Sequence, residues 1–203
     1  MALVTRNRCS DRSRCSDRCG LWISLLLAWI LVSGLPARSL AAVALTEYEV
    51  KAGFLYHVGW FVEWPANSVQ DHASTFIIGV LGTHPFGSVL DDVMRGKAIH
   101  ERPVVIKYYQ RVEEAVSSHV LFISASEEPR LPAILAVLET TPVLTISDLE
   151  RFAERGGMIA LRLVDRKVHF DINMDATERA GLKLSSQLLR LAKVIHGIQR
   201  VRE

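Results

Sequence analysis

The chain has 203 residues, 49% of them hydrophobic and 23% charged, with 12 Gly and 7 Pro, a composition that suits a globular domain and excludes the collagenous and disordered classes. The net charge of +2 is uneven: residues 1–44 hold six Arg against two Asp, and the remainder holds 18 Lys plus Arg against 20 Asp plus Glu. A near-neutral remainder lacks the concentrated positive charge that counterion release from a nucleic acid requires, so no nucleic-acid partner is expected.

Arg6, Arg8, Arg12, Arg14 and Arg18 precede the apolar run from Leu21 to Val32, after which Pro36 breaks any helix and small residues follow. This is the layout of a secretory signal peptide. A membrane span takes roughly 20 apolar residues; extended to Leu35 this run is fifteen residues long, with Ser33 and Gly34 inside it. A retained anchor is the alternative. Ala42-Val43-Ala44 fits the small-x-small cleavage rule, so residues 1–44 read as the signal peptide and 45–203 as a single exported domain of 159 residues, enough for one core. Cys9, Cys15 and Cys19 all precede the apolar run, inside a near-repeat of Cys-Ser-Asp-Arg. Without a neighbouring histidine they make a weak zinc reading; a stretch translated upstream of the true start is the other account. A mature form without cysteine must be stable through its core alone.

Thr46 and Glu49 have capping-box spacing, and Val50, Phe54, Val58 and Phe61 recur at helical spacing until Trp64-Pro65, which predicts an amphipathic helix. Short, almost continuously apolar runs follow at Phe76–Leu81, Val104–Tyr108, Val120–Ile123 and Val143–Ile146, as in parallel strands covered on both faces. Helices are predicted between them: one after Pro85 through Val89, Leu90 and Val93, one after Ser126 through Ile134, Leu135 and Leu138, and a short one opened by Ser147 and Glu150 and ended by Gly156-Gly157. Met158–Val164 and Val168–Ile172 are separated by three residues, a spacing that demands a hairpin. Ser185 or Ser186 then caps a last helix carrying Leu188, Leu191, Ala192, Ile195 and Ile198. The expected fold is a three-layer α/β domain of Rossmann-like or flavodoxin-like type, its sheet mostly parallel with a C-terminal β-hairpin adding an antiparallel edge.

Ligands of open α/β sheets bind beyond the carboxyl ends of the strands. Those ends carry Gly82-Thr83-His84, Ser124-Ala125-Ser126 and Ser147-Asp148, which makes Thr83, His84, Ser124, Ser126, Ser147 and Asp148 the ligand-binding candidates. The same serines also serve as helix caps. Gly79, Gly82 and Gly87 lack the spacing of a dinucleotide fingerprint, and no Gly-Lys-Ser or Gly-Lys-Thr occurs. There is no G-x-S-x-G elbow for a catalytic serine, and no histidine pair at metal-ligand spacing. The sequence makes no positive case for an enzyme, a cofactor or a metal. Six aromatic residues, Tyr48, Phe54, Tyr56, Trp60, Phe61 and Trp64, crowd the first helix and its end. One helix face cannot bury them all; some cover the sheet edge, or line a groove or partner surface, where Tyr and Trp are frequent anchors.

In order along the chain stand Leu45-Thr-Glu-Tyr-Glu-Val-Lys-Ala-Gly-Phe-Leu-Tyr56, Phe61-Val-Glu-Trp-Pro65, Ile78-Gly-Val-Leu-Gly82, Val120-Leu-Phe-Ile-Ser124, Val143-Leu-Thr-Ile-Ser-Asp148, Phe152-Ala-Glu-Arg-Gly-Gly-Met158, Phe170-Asp-Ile-Asn173 and Ala180-Gly-Leu-Lys-Leu-Ser-Ser186. With this ordered set the chain resembles the YfiR/HmsC-like family of bacterial periplasmic regulators. The resemblance implies a periplasmic α/β protein, often a homodimer, that binds the periplasmic sensor part of a membrane-bound diguanylate cyclase and holds it inactive, lowering cyclic di-GMP and biofilm formation. It also implies small-molecule sensing in other members. Trp64, Pro65, Gly156 and Gly157 match motif positions, so Tyr56, Trp60, Trp64, Gly156 and Gly157 are the partner-binding candidates. Many relatives place a cysteine just before the Val120 strand, where this chain has Ser117-Ser118-His119, so disulfide redox control is in doubt here.

Overall fold

The structure, a computed structural model, describes residues 46–195 except 67, 69–73, 165 and 166. The signal-peptide region, the three cysteines, His196, Ile198 and the Asp165-Arg166 part of the hairpin connection lie outside the described residues.

Helix α1 (Glu47–Val58) starts with the expected reciprocal cap: Thr46 Oγ1 accepts the Glu49 N–H at 3.3 Å, and the Glu49 carboxylate accepts the Thr46 N–H. One 3₁₀ turn (Gly59–Phe61) leads into β1 (Val62–Glu63). Then follow β2 (Phe76–Leu81), α2 (Val89–Met94), β3 (Ala98–Ile99), β4 (Arg102–Tyr109), α3 (Val112–Ala115) and β5 (Val120–Ile123). After a 3₁₀ segment (Ala125–Arg130) come α4 (Leu131–Leu138), β6 (Leu144–Ser147), β7 (Ile159–Val164) and β8 (Lys167–Asn173). The described chain closes with α5 (Met174–Arg179), β9 (Lys183–Leu184), α6 (Ser186–Leu191) and β10 (Lys193–Ile195).

Eight strands form one sheet in the order β10-β8-β7-β6-β5-β2-β4-β3. Strands β4, β2, β5, β6 and β7 run parallel, β7 and β8 form the expected antiparallel hairpin, and β3 and β4 form a second one. Strand alternation divides the core between two faces. Ile78, Val80, Val120 and Phe122 point to one side, under α1 and α2, whereas Leu81, Leu121 and Ile123 point to the other, under α3 and α4. Helices therefore cover both faces, and the three-layer, mostly parallel, flavodoxin-like expectation holds.

Four local expectations are corrected. The deepest face of α1 is Ala52, Leu55 and Val58, joined by Lys51, while Val50 and Phe54 are half-buried. Apolar residues surround this helix, so its period alone does not select one stripe. Helix α2 starts at Val89, a turn after Pro85. No helix opens at Ser147, because its hydroxyl donates to the Ile123 carbonyl at 2.6 Å and accepts the Leu149 N–H at 3.1 Å, a local bond that competes with helix initiation. The last helix is also shorter than expected: Ser185 caps it, but Ala192 turns extended and Lys193–Ile195 pair in parallel with β8, covering backbone that would otherwise be a bare sheet edge.

Gly156 has φ +105°, a conformation that favours glycine, and Gly157 lies under the buried Phe152 ring, whose atoms would be 2.1–2.4 Å from a Cβ placed there. Gly157→Ala must displace that ring and is expected to cost about 1–3 kcal/mol by overpacking, read as a lower urea midpoint. Adding Phe152→Leu to that variant should recover part of the loss; an unchanged midpoint in Gly157→Ala refutes the packing assignment.

Candidate functional site

The strand order reverses at β2, whose neighbours β4 and β5 come later in the chain on opposite sides, which puts the expected ligand crevice between the carboxyl ends of β2 and β5. The structure brings Thr83, Ser124 and Ser126 together there. Thr83 N–H donates to Ser126 Oγ at 3.0 Å, and the Thr83 and Ser124 hydroxyls are 3.0 Å apart. Gly82 has φ +88°, and a Cβ on it would meet Ser126 Oγ at 2.4 Å and Glu127 Oε1 at 2.7 Å. These side chains line the crevice, with buried Glu127 tied to Arg130 at 2.5 Å. His84 stands apart, exposed, its ring 4.9 Å from that of Tyr108.

Ser147 and Asp148 end β6 beside α1. Lys51 Nζ is 2.6 Å from Asp148 Oδ2 and 2.5 Å from Glu47 Oε1, and it lies 4.8 Å from the Tyr48 ring centroid. Burial by itself lowers the pKa of the Lys51 ammonium, but the bonds to Asp148 and Glu47 more than offset it and hold the pKa above its ordinary value. Asp148 is therefore already engaged by a cation from within the chain. Nothing in the sequence pattern marks Lys51 as buried, since a lysine on a helix is ordinarily solvated.

The aromatic residues run along α1 from Tyr48, at the Lys51 end, to Trp60, Phe61 and Trp64 beyond its carboxyl end. Tyr48, Phe54, Tyr56, Phe61 and Trp64 are half-buried against the core, while Trp60 is 44% exposed. Tyr56 donates to the Ala98 carbonyl at 3.1 Å and carries Lys97 Nζ over its ring at 4.5 Å. Trp60 lies 5.0 Å, ring to ring, from His100. His100 and Glu101, the two-residue turn of the β3–β4 hairpin, both have positive φ, +49° and +65°, a conformation hairpins ordinarily fill with Asn and Gly. Next to this hairpin a cavity of about 210 Å³ is lined by Val62, Glu63, Trp64, Phe76, His100 and Arg102. It adjoins the amino ends of β2 and β4, opposite the crevice that the sequence pointed to.

Of the partner-binding candidates, the structure thus groups Tyr56, Trp60 and Trp64 around α1 and the β3–β4 hairpin, and places Gly157 against Phe152 and Gly156 beside Leu135. His100, Arg102 and Glu63 were not singled out from sequence; the positive-φ turn that presents His100 follows from hairpin register, which needs the partner strand. Among the described residues no group of three or more His, Cys, Asp or Glu is placed to hold a metal ion, and no helix is long and apolar enough to cross a membrane.

A family model described as YfiR/HmsC-like matches residues 48–193. A crystal structure of a conserved domain protein from Vibrio cholerae O1 biovar El Tor is similar in fold, with a TM-score of 0.51 at 12% identity over 74% of this chain. The match spans 60% of that solved chain. None of the curated proteins matches the chain.

Lys51→Met is expected to cost on the order of 3 kcal/mol, because it strands a largely buried Asp148 carboxylate, and denaturant unfolding measures it. In the wild type the Lys51 contribution is fully present below the ordinary value of 10.5 and is lost as pH rises through the raised folded value. The variant should therefore show a smaller alkaline loss of stability. Burial, then the 2.7 Å bond to Asp91, pushes the Tyr108 phenol up to about 12. An ultraviolet titration of phenolate should show Asp91→Asn moving this group back toward its ordinary value, and identical titrations would contradict the assignment.

Proposed function

Given that the chain belongs to the YfiR/HmsC-like family, a family of regulatory proteins in diguanylate cyclase signalling, we propose that it is exported by its N-terminal signal peptide and represses an inner-membrane diguanylate cyclase from the periplasm. It acts by binding and not by catalysis, and lowers cyclic di-GMP and biofilm formation. The same reading includes self-association into a homodimer. The observation that carries it is the family match over nearly the whole described domain; the aromatic surface at the end of α1 supports it. Trp60 is held against His100 yet 44% exposed, the state of an interface anchor before its partner arrives.

Repression demands a state preference, since a partner with equal affinity for active and inactive cyclase shifts nothing. Moving a cyclase from 1:99 to 99:1 in favour of the inactive state takes about 5.5 kcal/mol of differential binding. Three aromatic anchors of about 2 kcal/mol each reach that size. The cavity beside Trp64 favours a second reading, a periplasmic small-molecule sensor that works without a cyclase.

Deleting the gene should raise cyclic di-GMP, and the protein should capture a membrane cyclase from solubilised membranes. Trp60→Ala should weaken that capture by about thirtyfold, the equivalent of one anchor of about 2 kcal/mol, with its thermal midpoint little changed. Unchanged cyclic di-GMP after deletion, together with no cyclase captured, would end the repressor reading.

A further inference from the structure

Helix α1 buries Lys51, Ala52, Leu55 and Val58, so Glu49, Gly53 and His57, spaced four residues apart, form one ridge of its outward side. Glu49 and Gly53 are half-exposed and His57 is exposed. Gly53 sits in the middle of a 12-residue helix, where glycine is destabilising because it surrenders more backbone freedom than alanine does. Packing within the domain does not call for it: a Cβ on Gly53 would meet no heavy atom within 4 Å, whereas one on Gly59 would meet Phe76 and Ile99. The notch at Gly53 therefore suits an approach from outside the domain.

The order of groups along the ridge indicates what approaches. Glu49 lies one turn before the glycine and His57 one turn after it, so the ridge read backwards sets a ring N–H donor where the ridge read forwards sets a carboxylate. One Glu49 oxygen accepts the Thr46 N–H in the helix cap, and a carboxylate has a second oxygen to accept another bond. We propose that the ridge Glu49–Gly53–His57 is a self-association surface, on which two copies of α1 cross antiparallel about a two-fold axis at Gly53. Ridges of this spacing from two helices align at a crossing of about −50°. Glycine then lies against glycine, and each Glu49 lies beside the second copy's His57. A two-fold contact needs this self-complementarity, and the antiparallel crossing also sets the amino end of each helix near the carboxyl end of the other. At about 1.5 Å per residue the helix is about 18 Å long, so the contact stands at the small end of interfaces and the association is weak and concentration-dependent. The surface rests on the homodimer reading and gives that dimer a seat.

Sedimentation equilibrium of the purified protein from about 10 μM to about 1 mM should show a reversible monomer–dimer equilibrium. Gly53→Gln puts a good helix former into open space. Its urea midpoint, measured at low concentration where the chain is monomeric, should equal or exceed that of the wild type, while its dimer weakens about tenfold or more. His57→Glu sets two carboxylates side by side and should weaken the dimer by a similar factor. Adding Glu49→Gln, which keeps the capping box, should restore most of that loss. The proposal is overturned if either Gly53→Gln or His57→Glu dimerises as the wild type does, or if Gly53→Gln lowers the urea midpoint, since the fold itself would then need the glycine. A dimer indifferent to both variants leaves the homodimer reading standing and takes α1 out of it, whereas a chain monomeric at every concentration ends both. Cyclase capture plays no part in these measurements, so the repressor reading is tested separately.

Discussion

Three of the parallel strands at the centre of this protein, β2, β5 and β6, are buried along their whole length between two helical layers, so the polar groups at their ends must find a partner within the chain. The buried polar side chains answer to that constraint. Ser147 bridges the Ile123 carbonyl and the Leu149 N–H, Thr145 accepts the Met158 N–H at 3.1 Å, and Asn173 donates to the Ala153 carbonyl at 2.8 Å while capping α5. His119 does the same with a ring nitrogen in place of a carbonyl, extending the bonding between β2 and β5 past the end of β5. These are side chains standing in for ladder bonds, and they hold the strand ends in register.

The same constraint separates the two ends of the sheet. At the carboxyl ends, Thr83, Ser124 and Ser126 bond to one another, Glu127 packs on Gly82, and Asp148 is neutralised by Lys51. These contacts lie at the reversal of strand order, where such folds commonly bind a ligand. At the amino ends, Trp64 keeps a buried N–H without an acceptor, beside Arg102, in a cavity.

The hairpin connecting β3 to β4 joins this cavity to the outer surface. His100 and Glu101 occupy left-handed conformations without being Gly or Asn, a strain that persists only where surrounding contacts over-determine it. For His100 those contacts are the Gly59 carbonyl and the Trp60 ring. Trp60 is in turn carried on the 3₁₀ turn at the end of α1, and Gly59 lets that turn approach closely, since a Cβ there would be 2.9 Å from Phe76 and 3.0 Å from Ile99. His100 thus stands between the cavity that it lines and the exposed Trp60.

Much of this architecture was legible in the amino-acid order. Continuous, β-branched apolar runs such as Phe76–Leu81 and Val120–Ile123 read as strands buried on both faces, Thr46 and Glu49 mark a helix start by their own short-range bonds, and three residues between two strands leave room only for a hairpin. These features are local, or follow from hydrophobic pattern, and a chain carries them without knowing its neighbours. What the fold decided depends on distant residues: that Lys51 is buried because Asp148, 97 positions away, pairs with it; that Ser147 bonds across to Ile123 instead of opening a helix; that β10 replaces the end of a helix because β8 has an unpaired edge. His119 looked like any packing histidine until Ile77, 42 positions earlier, fixed its proton. Proton positions, burial of charge and the lining of a cavity are properties of several segments meeting in space, and no one-dimensional pattern encodes that meeting.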